Sequence, residues 1–122
     1  MSSTPFDFRK RVAYDPEAKR LFHARAQQQL KALAAALGLA DDQYDLRSNE
    51  AGPGTSGEIT LHTSSLYVQV RQSCMGPEAG ILFRSCQGRR DYVGGVNNFA
   101  TIDLLHRPVK LARRIKLAGL AS

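Results

Sequence analysis

The chain has 122 residues, of which 43% are hydrophobic and 23% charged, a composition typical of one globular domain. Seventeen Lys and Arg against eleven Asp and Glu give a net charge of +6, which favours anionic partners. The N-terminus lacks the apolar run of a signal peptide, and no segment has the length of a membrane span. The sequence therefore predicts a cytoplasmic protein without a membrane role and excludes a disordered polyelectrolyte.

Residues 1–14 combine Ser, Thr and Pro with the basic triplet Arg9, Lys10 and Arg11. This composition predicts a flexible basic arm, followed by a single α+β domain over residues 15–122. The triplet has two interpretations, a frayed terminus or an arm that contacts phosphates.

A long helix follows the arm. Asp15 before Pro16 is typical of a helix start, because the carboxylate caps free N–H groups and proline needs no N–H there. Gly38 predicts the end of the helix. Between these signals, apolar residues recur at helical spacing and predict one buried stripe. The stripe consists of Phe22, Ala26, Leu30, Leu33 and Leu37.

Three segments alternate apolar and polar residues and predict strands, namely Glu58–Thr63, Leu66–Ser73 and Gly80–Gln87. Tyr44–Ser48 is a candidate edge strand. Short turns separate the three strands, so the pattern predicts an antiparallel meander with one apolar face under the first helix.

The strand register also predicts where the two cysteines lie. The apolar faces of the second and third strands coincide only if opposite residues sum to an odd number, for example Cys74 opposite Ile81. This register places Cys74 on the core side of the sheet and Cys86 on the other side. We therefore expect two free thiols rather than a disulfide.

The region after the third strand is rich in residues that tolerate positive φ. Gly88–Asn98 predicts a tightly shaped loop. A short helix that starts after Asn98 or Thr101 and directs Phe99, Ile102 and Leu105 inward is expected to follow, and then a last helix from Pro108 to about Gly119. The predicted fold is α+β, with a long N-terminal helix on a three- to four-stranded antiparallel sheet and two short C-terminal helices.

Basic residues cluster in the loop after the third strand and in the last helix, which contains no acid. Arginine forks and lysines match phosphate oxygens, and tyrosine rings stack on bases. The alternative is structural, because Asp91 can pair with an arginine and the helix can simply be solvated. The predicted nucleic-acid or partner-binding residues are Tyr67, Arg71, Arg84, Arg89, Arg90, Tyr92, Lys110, Arg113, Arg114 and Lys116.

The segment Gly80–Phe99 resembles a segment of short uncharacterised proteins of proteobacterial phages and other mobile elements. The resemblance implies a context, in which small proteins handle DNA or RNA, build virions or disable host defence, and it places the protein in the host cytoplasm. The order of helix, three strands and helix is also similar to that of double-stranded RNA-binding domains, without a clean match to their lysine cluster.

Three functions remain open from the sequence. The first is a non-enzymatic basic module that contacts nucleic acid or a host nucleoprotein complex. The second is a mobile-element inhibitor, for example an anti-CRISPR-like anti-defence protein, or a virion assembly protein, acting through protein–protein binding. The third is a small enzyme that uses Cys86 or Asp91. The sequence lacks Cys-x-x-Cys and His-x-x-x-His spacings, so no metal or cofactor is predicted.

Overall fold

The fold is an antiparallel sheet with two helices on one face. The structure, a computed structural model, describes residues 6–91 and 94–120, so the predicted site residue Tyr92 lies outside the described residues. The strands follow one another in the sheet in the order β1-β2-β3-β4-β5. The elements are α1 (Pro16–Ala36), β1 (Asp45–Asn49), β2 (Glu58–His62), β3 (Leu66–Val70), β4 (Ile81–Ser85), β5 (Asn98–Ala100) and α2 (Pro108–Leu117), with 3-10 turns at Asp41–Gln43, Pro77–Ala79 and Ile102–His106.

Helix α1 begins and ends where the sequence predicts. Asp15 caps it by accepting a hydrogen bond from the backbone N–H of Ala18 at 3.1 Å, and Pro16 occupies the first turn. Gly38 follows the last turn at φ +77°, a conformation that glycine adopts without strain. All five residues of the predicted stripe are buried, so α1 packs this face on the sheet.

The register of β3 and β4 confirms the prediction that opposite residues sum to an odd number, but the turn between the two strands differs from the predicted one. Val70 pairs with Ile81, which keeps an odd sum and directs both side chains to the core. Cys74 does not face Ile81, because β3 ends at Val70 and residues 71–80 form a longer turn with its own 3-10 helix. Cys74 is therefore exposed rather than on the core side, while Cys86 is buried, and both thiols are free.

The C-terminal third corrects the predicted fold in two respects. Asn98–Ala100 forms a fifth strand on β4, so Phe99 is 39% exposed instead of pointing inward. Ile102–His106 is a 3-10 helix, so only α2 is an α-helix in this region. A three-residue strand is too short to show an alternating pattern, and it depends on the backbone of β4 for its hydrogen bonds.

The segment that the sequence assigns to a flexible arm contributes to the core. Phe8 and Val12 are each only 2% exposed, and the Phe8 ring packs against Phe22 with centroids 6.0 Å apart. Gln72 fixes the backbone of this segment. Its side-chain oxygen accepts the N–H of Val12 at 3.1 Å, and its amide nitrogen donates to the carbonyl of Phe8 at 3.0 Å. Residues 6–14 thus pack on the β3–β4 turn.

Candidate anion-binding surface

Helix α2 presents a basic surface because its apolar residues fall on one side. Leu111, Ala112 and Ile115 are buried in the core that α2 shares with α1 and the sheet. Five exposed cations lie on the remaining surface of the helix and at its N-cap, and we call this set the basic helix face. Its members are Arg107, Lys110, Arg113, Arg114 and Lys116.

The basic helix face lies in an acid-free part of the chain. Asp103 is the last acid in the sequence, and its carboxylate binds Arg9 through two hydrogen bonds. No carboxylate of residues 6–91 and 94–120 forms an ion pair with the face. One guanidinium, that of Arg114, donates to the carbonyl of Phe99 at 3.0 Å. The charge of this surface is therefore not neutralised by the rest of the described chain.

A groove with a volume of about 490 Å³ runs along the start of α2. Arg107, Lys110 and Arg113 line it together with Pro108 and Val109. The N-terminus of a helix carries a partial positive charge, so cations placed there add to it instead of balancing it. The groove therefore combines three side-chain charges with the helix dipole, all of the same sign.

Tyr67, one of the two tyrosines predicted to stack on a base, is already largely covered. Tyr67 is 6% exposed, and the Arg84 guanidinium carbon lies 4.3 Å from its ring centroid. His62 contacts the same ring edge to face, with centroids 5.1 Å apart. These three side chains share the outer face, the sheet face that points away from α1 and α2, as the register requires. A base can stack on the ring face that Arg84 covers only if this contact opens.

The β4–β5 loop uses its charged residues to hold its own shape. Arg89 donates to the backbone carbonyl of Asp42 and lies 3.8 Å from the Asp45 carboxylate. Asp91 accepts the backbone N–H groups of Gln87 at 2.9 Å and Gly94 at 3.0 Å. The neighbouring Arg90 is exposed. Much of the charge in this loop is thus engaged in internal contacts.

The nine predicted site residues that the structure describes therefore fall in separate places. Four of them, Lys110, Arg113, Arg114 and Lys116, lie together on the basic helix face, which Arg107 extends. Tyr67, Arg84 and the loop arginines lie on the outer face or at its end, on the other side of the sheet. Arg71 follows β3 at the far end and lines a cleft with Arg11.

Arg11 is a residue that the predicted set omits. The basic triplet was a signal for it, but the meeting of Arg11 with Arg71 depends on how residues 6–14 pack on the turn after β3. That packing is a tertiary contact without a local sequence pattern.

The residues of the enzyme hypothesis occupy structural positions. The Cys86 thiol donates to the carbonyl of Thr63 at 3.3 Å, and burial raises the pKa of this thiol above its ordinary value. A raised pKa lowers the fraction of reactive thiolate. The Asp91 carboxylate is engaged with loop N–H groups, and the described residues contain no group of three or more His, Cys, Asp or Glu that could hold a metal ion.

Comparison with protein-family models, curated proteins and solved structures found no match. Within the described residues, no helix combines the length and apolar character that crossing a membrane requires.

Proposed function

We propose that this protein is a non-enzymatic binding module that contacts the phosphate backbone of nucleic acid, free or within a nucleoprotein complex, through its basic helix face. The observation that carries the proposal is the acid-free set of five exposed cations on and before α2. Like charges on one helix repel by a few tenths of a kcal/mol per close pair, and a phosphate partner relieves this repulsion.

The distribution of charge along α2 supports an anionic partner. Arg114 and Lys116 lie in the last turn, where cations stabilise a helix through its dipole. Arg107 and Lys110 lie at the other end, where cations destabilise a helix. Helix stability therefore explains only the cations in the last turn of α2, whereas phosphate binding explains the cations at both ends of the helix.

The dimensions of the face fit several phosphates. Arg107 and Lys116 are nine residues apart, which corresponds to about 14 Å along a helix. Phosphates of one strand follow the duplex axis at about 3.4 Å per step, so the face spans roughly four of them. Contacts of this kind carry no base preference, and we expect binding to depend on charge rather than on sequence.

The test is a salt titration of binding to mixed-sequence duplex and single-stranded oligonucleotides. We expect affinity to fall steeply with salt, and the double variant Lys110→Gln/Arg113→Gln to reduce the slope of log K against log salt by about 2 on duplex DNA. The matched control is Arg20→Gln/Lys31→Gln, which removes the same charge from exposed positions of α1.

Two results would contradict the proposal. One is the absence of binding at low salt, or binding that salt does not weaken. The other is an equal loss of affinity in the two double variants, because that result would mean that net charge matters and the position of the cations does not.

A second function, protein binding by a mobile-element inhibitor or virion assembly protein in the host cytoplasm, has support from the same helix. Val109 and Leu117 are 65% and 83% exposed among the cations of α2. Apolar side chains of this size favour a protein contact over a phosphate contact. A partner captured from host lysate in stoichiometric amount after nuclease treatment, and lost on Leu117→Ser, would support this function over the first.

A further inference from the structure

A basic cleft separate from α2 lies where the N-terminal segment, the β1–β2 loop and the β3–β4 turn meet. Its volume is about 350 Å³, which lies within the range of small-molecule sites. Arg11 and Arg71 line it, and no acidic residue of the described chain does. Neither guanidinium forms an ion pair with another described residue, so both positive charges face the cleft uncompensated.

The other polar groups of the cleft are arranged to donate hydrogen bonds. The Thr55 hydroxyl accepts the backbone N–H of Gly57 at 3.3 Å, and the Ser73 hydroxyl accepts the N–H of Met75 at 3.0 Å. An accepting hydroxyl retains its own proton for a further bond. Two further polar side chains of the cleft are already engaged: Gln72 binds residues 8–12, and the Ser56 hydroxyl donates to the carbonyl of Gly57 at 2.9 Å. The groups left available are therefore two hydroxyl donors and two guanidinium forks.

We propose that this cleft binds a phosphate dianion, either free phosphate or the terminal phosphate monoester of a small molecule. Two guanidinium groups match the charge of a dianion, and each fork can bind two phosphate oxygens. An internal phosphodiester of nucleic acid carries a single negative charge and leaves one guanidinium unbalanced. The charge of the lining thus favours a terminal phosphate over a single phosphodiester.

Binding in this cleft joins two parts of the fold. Arg11 belongs to the N-terminal segment and Arg71 follows β3, so a phosphate held between them ties residues 6–14 to the sheet. Ligands that bind only the folded state raise its stability. We therefore expect phosphate to raise the melting temperature and to slow proteolysis of the N-terminal segment.

Cys74 gives a direct readout, because it lines the cleft and is exposed while Cys86 is buried. Iodoacetamide is uncharged and should alkylate Cys74 first in the native protein. At constant ionic strength, with chloride as the balancing salt, we expect inorganic phosphate or ribose 5-phosphate to slow this reaction saturably, by roughly threefold or more. Stronger protection by ribose 5-phosphate would identify an ester as the preferred source of the phosphate.

Three variants separate this site from general charge effects. Arg11→Gln and Arg71→Gln should abolish the protection, whereas Arg20→Gln, which removes the same charge elsewhere, should retain it. Lys110→Gln/Arg113→Gln should also retain it, so this proposal and the nucleic-acid proposal can fail independently. Thermal unfolding of each variant without phosphate checks that it folds.

Three outcomes would overturn the phosphate site. The first is the absence of saturable protection of Cys74 in the wild-type protein. The second is equal protection in Arg71→Gln and Arg20→Gln. The third is equal protection by an oligonucleotide without terminal phosphates, because such a ligand presents only phosphodiesters.

Discussion

The basic helix face and residues 84–91, which run from the end of β4 into the β4–β5 loop, are both rich in basic residues, yet the structure uses these residues differently. On α2 the cations are exposed, and no described carboxylate pairs with them. In residues 84–91, by contrast, Arg84 of β4 covers the ring of Tyr67, and Arg89 of the loop contacts Asp42 and Asp45. The number of charged residues in a segment therefore does not give the charge that is available to a partner, because some of these residues are engaged in contacts within the protein.

The largest effect that separates the two regions is expected from Gly94→Ala in the loop. Gly94 has φ +54°, and a Cβ there would lie 2.5 Å from the backbone oxygen of Ser85 and 2.6 Å from Nε of Arg84. Positive φ and this clash together should lower the free energy of unfolding by roughly 2 kcal/mol.

The control in the same loop is Gly88→Ala. A Cβ at Gly88 meets nothing within 4 Å, and its φ is not positive. Chemical denaturation should place this variant within about 0.5 kcal/mol of the wild type. Equal stability of the two alanine variants would mean that the loop does not hold the conformation described above.

The next largest effect is expected from two arginine substitutions, one that should change stability and one that should change nucleic-acid binding. Arg84→Gln removes the partly buried cation on Tyr67 and should cost about 1 kcal/mol of stability. Arg113→Gln should leave stability unchanged within about 0.5 kcal/mol but weaken nucleic-acid binding, because this side chain is exposed. Unfolding and binding measured on both variants test the comparison. A loss of stability in Arg113→Gln would contradict the view that its charge is free for a partner.

Features of the fold that depend on residues close together in the sequence could be predicted, and features that depend on residues far apart in the sequence could not. The ends of α1 depend on local groups, Asp15, Pro16 and Gly38, and they were predicted correctly. The odd sum of opposite residues in β3 and β4 depends on the alternation of apolar and polar residues, and this prediction was also correct. The burial of Phe8 and the strand at Asn98–Ala100 depend on distant partners, and local patterns did not reveal them.

In the candidate site, too, features that depend on local patterns could be predicted and long-range contacts could not. The exposure of the α2 cations follows from helical periodicity, so the sequence could predict it. The contact of Arg89 with Asp45 joins residues far apart in the chain, as does the cleft of Arg11 and Arg71. Such contacts decide which arginines remain available to a partner. The sequence could therefore identify the basic residues but not the side of the sheet on which each of them lies.

The stack of His62, Tyr67 and Arg84 on the outer face should make the stability of the protein depend on pH. Burial lowers the pKa of His62 below its ordinary value of about 6.5, and the nearby Arg47 acts in the same direction. The folded state therefore binds fewer protons at His62 than the unfolded state does. The corresponding stabilisation is complete above the unfolded pKa and is lost as the pH falls below it towards the lowered folded pKa.

The measurement is the free energy of unfolding between pH 7.5 and 5, where the wild type should lose stability on acidification. His62→Gln should lose less over the same interval, since the residue that takes up a proton on unfolding is gone. A steeper decline in the variant than in the wild type would contradict the assignment.

The smallest effect is expected at Arg9 and Asp103, the one described ion pair near the basic helix face. Both side chains are about half exposed, and water screens such pairs. The hydrogen bond from Arg9 lowers the pKa of Asp103, so the stabilisation is present above the unfolded pKa and is lost as the pH falls through the lowered folded value. Asp103→Asn should shift the acid-unfolding midpoint slightly upward. Because the variant also frees Arg9 beside an already acid-free surface, it should strengthen nucleic-acid binding at low salt, and unchanged or weaker binding would count against a role for the surrounding charge.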